Sequence, residues 1–216
     1  MTFTLPEKPS SSIDLTYDEY VRVLDTERRH LYLYGEIKYL DEYISYADAS
    51  PTQILRETIE RINEADIDIP TEKRKPIILY IDSIGGDVNT GMTLADVIEI
   101  SQTPVYTVNV GQWSSMAFLI GIVGKKRFSY PSSLFLLHGG SIVVGGSNHK
   151  VYDQAEFWKQ YDFDKIRSRV LKHSHLSAEE YDKKTRVEWL MRAEQAKEHG
   201  FIDEIVTDLN AFLRMR

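Results

Sequence analysis

An α/β fold with much parallel strand pairing is what the sequence predicts, on three observations. Short apolar runs fit strands buried on both faces: Pro76-Ile77-Ile78-Leu79-Tyr80-Ile81, Pro104 to Val110, and Leu134 to Leu137. Helical patterns separate them. Met92, Ala95 and Ile98 share one face, and Ser115 to Val123 is apolar on every side, as a buried helix is. Strands that alternate with helices close most simply into a parallel sheet with helical layers. A chain of 216 residues with 42 % hydrophobic and 27 % charged residues is long enough to build one core.

Taken in order, residues 1–16 are polar and carry Pro6, Pro9 and Ser10-Ser11-Ser12, the composition of a flexible arm ahead of a single domain over 17–216. His30 to Ile37 reads HLYLYGEI, an alternating strand that ends at Gly35. Ser50 to Glu64 has helical spacing through Ile54, Leu55, Ile59 and Ile62, with Pro51 suited to the first turn. After the strand at 76–81 comes Asp82-Ser83-Ile84-Gly85-Gly86-Asp87-Val88, a turn into the next helix. Gly124 can end the buried helix of Ser115 to Val123. Asn148 to His175 contains no Gly or Pro and predicts one long helix, ~40 Å at 1.5 Å per residue, which would project from a small domain onto a partner chain. Ser177-Ala178-Glu179-Glu180 is a capping box. Arg192 to His199 reads as a helix closed by Gly200, and Phe201 to Val206 as a last strand.

Charge and cysteine usage narrow the function classes. The net charge of -7 argues against a nucleic-acid binder. No cysteine is present, so thiolate nucleophiles, disulfides and Cys-metal sites are out. No run approaches the ~20 apolar residues that span a bilayer, and the first residues lack a signal-peptide pattern; the expected location is the cytoplasm.

Three features suit chemistry. Ser115 stands on the seam between the strand Pro104 to Val110 and the apolar helix, where free backbone N–H groups favour developing negative charge. His138 follows the strand of LFLLHGG directly and can act as a base if adjacent strands bring it to Ser115. Gly85-Gly86 ends another buried strand and permits a tight backbone whose N–H groups face a cavity. Each has a plainer reading: Ser115 as a helix cap, His138 as a half-buried histidine, and the glycines as a strand-to-helix turn. His173 and His175 in KHSH have no evident third ligand and suit a helix C-terminus, so no metal is expected. Tyr32 and Tyr34 suit either a docking cleft or the core.

Four ordered motifs add to this reading. YIDSIGGDVNTGM resembles the Y-I-N-S-P-G-G-x-V-x-x-G-M segment of the caseinolytic protease ClpP family, and GQWSSMA resembles its G-Q-A-A-S-M segment. LFLLHGG stands where the family has M-I-H-Q-P, and RAEQAKEHGFID is similar to its S-A-x-E-A-x-E-Y-G-L-I-D ending. The resemblance covers about residues 20 to 207. It implies a ClpP/crotonase-type fold of stacked β-β-α units with a projecting handle helix, matched by Asn148 to His175. It implies a serine endopeptidase with Ser115 as nucleophile, His138 as base, and Gly86 and Met116 as oxyanion donors, with no metal and no cofactor in this chain. Also implied are two stacked seven-membered rings (a homo-oligomeric tetradecamer) around a chamber. A Clp/Hsp100-type ATPase would use ATP to unfold polypeptides and feed them in.

The departures from the family are specific. Counting back from Gly200, the family's triad Asp falls on Glu188, which can still orient a histidine; Asp182 is the alternative. Ile84 replaces Pro, Gly139-Gly140 replaces Gln-Pro, and Trp113-Ser114 replaces two small residues, with Trp113 positioned to narrow or block the S1 pocket. Two other readings follow: a catalytically impaired ring subunit beside active relatives, and a crotonase-type acyl-CoA enzyme on the same architecture.

Overall fold

The computed structural model describes residues 24–25, 29–38, 51–141, 144–160 and 164–214. The expected flexible arm at 1–16 lies outside the described residues, as do 39–50. Among the described residues stand eight strands: β1 (Leu24–Asp25), β2 (His30–Ile37), β3 (Ile77–Gly86), β4 (Val105–Ser114), β5 (Lys126–Ser129), β6 (Leu134–Leu137), β7 (Trp189–Arg192) and β8 (Glu204–Ile205). The helices are α1 (Pro51–Ala65), α2 (Val88–Ile100), α3 (Met116–Ile122), α4 (Asn148–Trp158), α5 (Asp164–Lys172), α6 (Ala178–Lys184), α7 (Ala193–Glu198) and α8 (Leu209–Arg214).

The sheet runs β1-β2-β3-β4-β5-β8, with β6 on β4 and β7 on β6. The pairings β2–β3, β3–β4, β4–β5, β4–β6 and β5–β8 are parallel, as the alternation of elements predicts; only β1–β2 and β6–β7 are antiparallel. The all-apolar start of β3 follows from burial on both faces. Ile77, Leu79 and Ile81 join the main core with α2 and α3, while Ile78 and Tyr80 join a second cluster with Val108, Phe128 and Phe212 of α8. Helix α3 is buried along its whole length, which is why its sequence shows no polar face.

One strand decides the geometry of the site. The first half of β4 pairs with β5 (Tyr106 with Lys126 to Asn109 with Ser129) and its last residues pair with β6 (Gln112 with Leu134 to Ser114 with Leu136). A strand cannot change partners without a break in its ladder, and side chains fill the break here. The Asn109 amide donates to Leu134 O at 2.9 Å and its carbonyl accepts from Gly111 N at 3.1 Å. Ser133 donates to Asn109 O at 3.0 Å, and Asp82 accepts from Gln112 N at 3.0 Å. Asn109 is fully buried, so these bonds satisfy polar groups that water cannot reach.

A second buried network closes the far end of the sheet. The Asp66 carboxylate, 1 % exposed, accepts from both Arg29 guanidinium nitrogens at 2.6 and 2.7 Å and from Thr103 Oγ1 at 2.9 Å. The Arg29 bonds hold the Asp66 carboxyl below the usual carboxylate range, against the opposing effect of burial and with help from Thr103. Asp66→Ala is expected to cost about 3 kcal/mol at neutral pH, because it strands the Arg29 charge. The native pKa is lowered, so this stability is complete above the ordinary carboxylate range and is lost as pH falls through the native value. Urea unfolding of both chains from pH 7 to 3 should show the gap close.

The run from 148 to 175 is helical over α4 and α5, and residues 161–163 between them lie outside the described residues. Only α4 stands clear of the core, with no buried residue. Helix α5 buries Val170 and is tied to α2 through Arg169 with Asp96 and through Lys172 with Glu99. The strand β2 runs through Gly35, which takes φ +78° at a register shift, and so ends at Ile37 rather than at the glycine. The last strand shrinks to β8, since the chain turns at Gly200 (φ +75°) and sends Phe201 and Ile202 into the core as packing residues.

Candidate active site

Strand β4 delivers Ser115 to the start of α3 in a left-handed conformation, φ 54° and ψ −120°. A non-glycine residue in this region costs on the order of 1–3 kcal/mol, which the packing around it must hold in place. Its N–H continues the ladder to Leu136 O at 2.9 Å, and its hydroxyl makes no cap bond to α3. The Ser115 Oγ instead lies 2.7 Å from His138 Nε2. The same strand, β6, therefore fixes the Ser115 backbone through Leu136 and presents the imidazole two residues on. With Nδ1 carrying the ring proton, Nε2 accepts from the Ser115 hydroxyl, the arrangement a general base needs. Both side chains are half-buried. Ser114, the rival hydroxyl, is a buried residue of β4 paired with Leu136.

Three glycines shape the surroundings. At Gly85 (φ +87°) a Cβ would lie 2.5 Å from Ser114 O, 2.8 Å from Met116 N and 2.9 Å from Ser115 Cβ, so only glycine allows β3 to come this close to the turn. Gly86 packs its bare face on the Ile37 carbonyl of β2. A Cβ at Gly91 of α2 would overlap the Met116 side chain, which occupies that slot. Gly91→Ala is expected to destabilise the chain by about 1–3 kcal/mol through overpacking. That cost should nearly vanish in a Met116→Ala background, which a double-mutant cycle by urea unfolding would read.

Glu188 stands directly before β7. The antiparallel register pairs Leu137 with Trp189, so one residue further along His138 faces Glu188 across the two strands. Gly139 N donates to Thr185 O at 3.0 Å and brackets the same loop. Glu188 is exposed, and among the described residues no carboxylate hydrogen-bonds the His138 ring. Asp182 is engaged elsewhere: it accepts from Arg167 at 2.7 and 2.9 Å, and those bonds lower its carboxyl below the usual range.

A hydroxyl against an imidazole at a strained strand–helix seam recurs on unrelated folds, so comparison with other proteins decides the family. The Clp protease family model matches residues 45–208, most of the chain. The chain belongs to the Clp protease family. It is 30 % identical over 193 residues to the "ATP-dependent Clp protease proteolytic subunit 1" of Rhodopirellula baltica, a match that takes in 88 % of this chain and 81 % of the relative. It is 31 % identical over 134 residues to the "ATP-dependent Clp protease proteolytic subunit 1" of Frankia casuarinae, covering 61 % of this chain and 62 % of that one. With the "ATP-dependent Clp protease proteolytic subunit 2" of Treponema pallidum it shares 30 % over 138 residues, 61 % of this chain and 67 % of the relative.

Within this Clp protease family chain, the structure relocates one residue. Trp113 does not border an open pocket: it is 0 % exposed, meets Phe135 edge-on at 5.4 Å and fills the space that Gly121 leaves. Residues 113 and 114 point to opposite faces of β4, and the tryptophan takes the core face. Its Nε1 has no hydrogen-bond partner among the described residues. His173, just past the end of α5, faces Glu99 at 3.1 Å; burial pushes its pKa below the ordinary histidine value, against the raising effect of the Glu99 carboxylate. Among the described residues no group of three or more His, Cys, Asp or Glu could hold a metal ion, and no helix is long and apolar enough to cross a membrane. Tyr32 stacks on Tyr80 at 5.1 Å while Tyr34 is half exposed. Sequence reasoning missed Asn109 and Asp82 as supports of the site. Their only signal was a polar residue at the end of an apolar strand.

Proposed function

We propose that this chain is a serine endopeptidase, the proteolytic subunit of an ATP-dependent Clp-type protease in the cytoplasm. The observation that carries the reading is the 2.7 Å contact between Ser115 Oγ and His138 Nε2. Ser115 Oγ adds to the scissile carbonyl carbon while His138 Nε2 takes its proton. The Gly86 and Met116 N–H groups meet the charge that forms on the carbonyl oxygen. The C–N bond then breaks and His138 returns the proton to the leaving amine. Water, deprotonated by His138, adds to the acyl-enzyme and releases the acid and the Ser115 hydroxyl. Glu188 turns toward His138 Nδ1 and holds the tautomer that this cycle requires. No step calls on a metal or a cofactor of this chain.

The exposed helix α4 supports assembly of copies into two stacked rings around a chamber for unfolded polypeptides. The aromatic sheet face at Tyr32, Tyr34 and Tyr80 supports docking of a Clp/Hsp100-type ATPase. One observation favours a second reading, an impaired ring subunit beside active relatives: Glu188 is exposed and makes no bond to His138. A fluorophosphonate probe separates the two. Labelling of the wild type but not of Ser115→Ala supports the peptidase. No labelling of an assembled ring overturns it in favour of the impaired subunit.

A further inference from the structure

We propose that the buried hydroxyl of Ser83 is a positioning group for catalysis: it holds the Gly85–Gly86 backbone so that Gly86 presents its N–H to the reacting carbonyl oxygen. The inference rests on Ser115 acting as the nucleophile.

The starting point is a bulge. Tyr34 pairs with Asp82, but Glu36 pairs with Gly85, so β3 carries one residue more than β2 over this stretch. A bulge leaves part of the ladder unmade and turns the strand that carries it, and such features are enriched beside active sites. Ser83 sits in this bulge, 0 % exposed, level with Trp113 of β4 and two residues short of the turn that holds Ser115. Its hydroxyl oxygen accepts from Gly85 N at 3.1 Å.

Backbone accounting then singles out one donor. Of the three successive N–H groups at 85–87, Gly85 gives its proton to Ser83 and Asp87 gives its own to Ile37 O at 2.8 Å. The parallel pairing of Ile37 with Gly86 runs through that Asp87 N–H, so Gly86 keeps its own N–H out of the ladder with β2. Gly85 meanwhile lies against the turn, with its ideal Cβ position 2.8 Å from Met116 N. Spending the Gly85 N–H on Ser83 thus leaves Gly86, beside Met116, as the donor available to an oxyanion. An unsatisfied Gly85 N–H would instead compete for the same oxygen or let the peptide rock, and the electrostatic stabilisation of a transition state depends on donors that are fixed in advance.

The test compares wild type, Ser83→Ala and Ser83→Cys on a small fluorogenic peptide that needs no ATPase. The thiol of the second variant nearly preserves shape and is a weak acceptor. Both variants are expected to lower kcat on the order of 10-fold with KM almost unchanged. A peptide boronate, which forms a tetrahedral adduct on Ser115, should weaken by a similar factor, whereas a non-covalent product peptide should bind as before. Thermal unfolding identifies whichever variant is folded, and one folded variant suffices. Wild-type kcat and wild-type boronate affinity in that variant would overturn the role of Ser83. So would equal weakening of boronate and product peptide, the mark of general loosening. Fluorophosphonate labelling of the wild type keeps the two readings apart. If it labels and Ser83 proves indifferent, only this inference falls; if it fails to label, the nucleophile assignment falls and this inference with it.

Discussion

Ser115→Ala is expected to lower kcat for peptide hydrolysis on the order of 10⁶-fold, the largest effect of any single change in this chain. In the proposed mechanism the hydroxyl oxygen forms the acyl bond, and the neighbouring Ser114 is buried in β4 and paired with Leu136. The same substitution should not unfold the chain. It removes one hydroxyl from a half-buried position, and the backbone bond from residue 115 to Leu136 O remains. Part of any stability change has a definite sign. Alanine at φ 54° is at least as strained as serine, so no relief of the turn is expected. His138→Ala should fall to nearly the same rate and the double variant no further, because nucleophile and base act as one unit. Steady-state kinetics with unfolding curves on the three variants measure this. Additive losses would mean that the 2.7 Å contact does not operate as a catalytic pair.

The second large effect belongs to Glu188. Glu188→Gln is expected to reduce kcat by up to about 10⁴-fold, as the loss of a carboxylate behind a catalytic histidine does when the wrong tautomer takes over. The register that pairs Leu137 with Trp189 sets Glu188 across from His138 and gives it the position. Glu188→Asp should recover only part of the rate. It restores the charge of the family's usual residue on a backbone placed for the longer side chain. Stability should change little in either variant, since Glu188 is exposed and not bonded to the core. Wild-type turnover in Glu188→Gln would assign the orientation of His138 to the backbone of the loop that Gly139 and Thr185 hold.

These predictions depend on different levels of information. The local features were legible in the residues. Ser177 caps α6 with Glu180 as its pattern predicts, with both halves of the box formed. The apolar runs at 77–81 and 134–137 are strands, and the seam at Ser115 is where β4 meets α3. Each depends on side chains within a few residues of one another, so the sequence carries the cause next to the effect. The lengths of β3 and β4 were not legible. Both extend into glycine- and polar-rich segments, Ser83 to Gly86 and Gly111 to Ser114, that have poor strand propensity alone and are held by partners across the sheet. Trp113 was misjudged for a related reason. Its neighbours in the chain are polar and small, but its space comes from Gly121 and Phe135.

The order of motifs in the sequence by itself determined the family of this protein, the α/β class of its fold and the identities of Ser115 and His138 as candidates. Only the tertiary structure decided that their side chains meet. That meeting requires β4 to leave β5 at Asn109 and join β6, so that Leu136 anchors the Ser115 backbone while His138 emerges beside it. The physical reason is that a hydrogen bond between residues 23 apart is set by sheet register and by buried polar groups that must find partners, and register is a property of paired strands rather than of either strand alone.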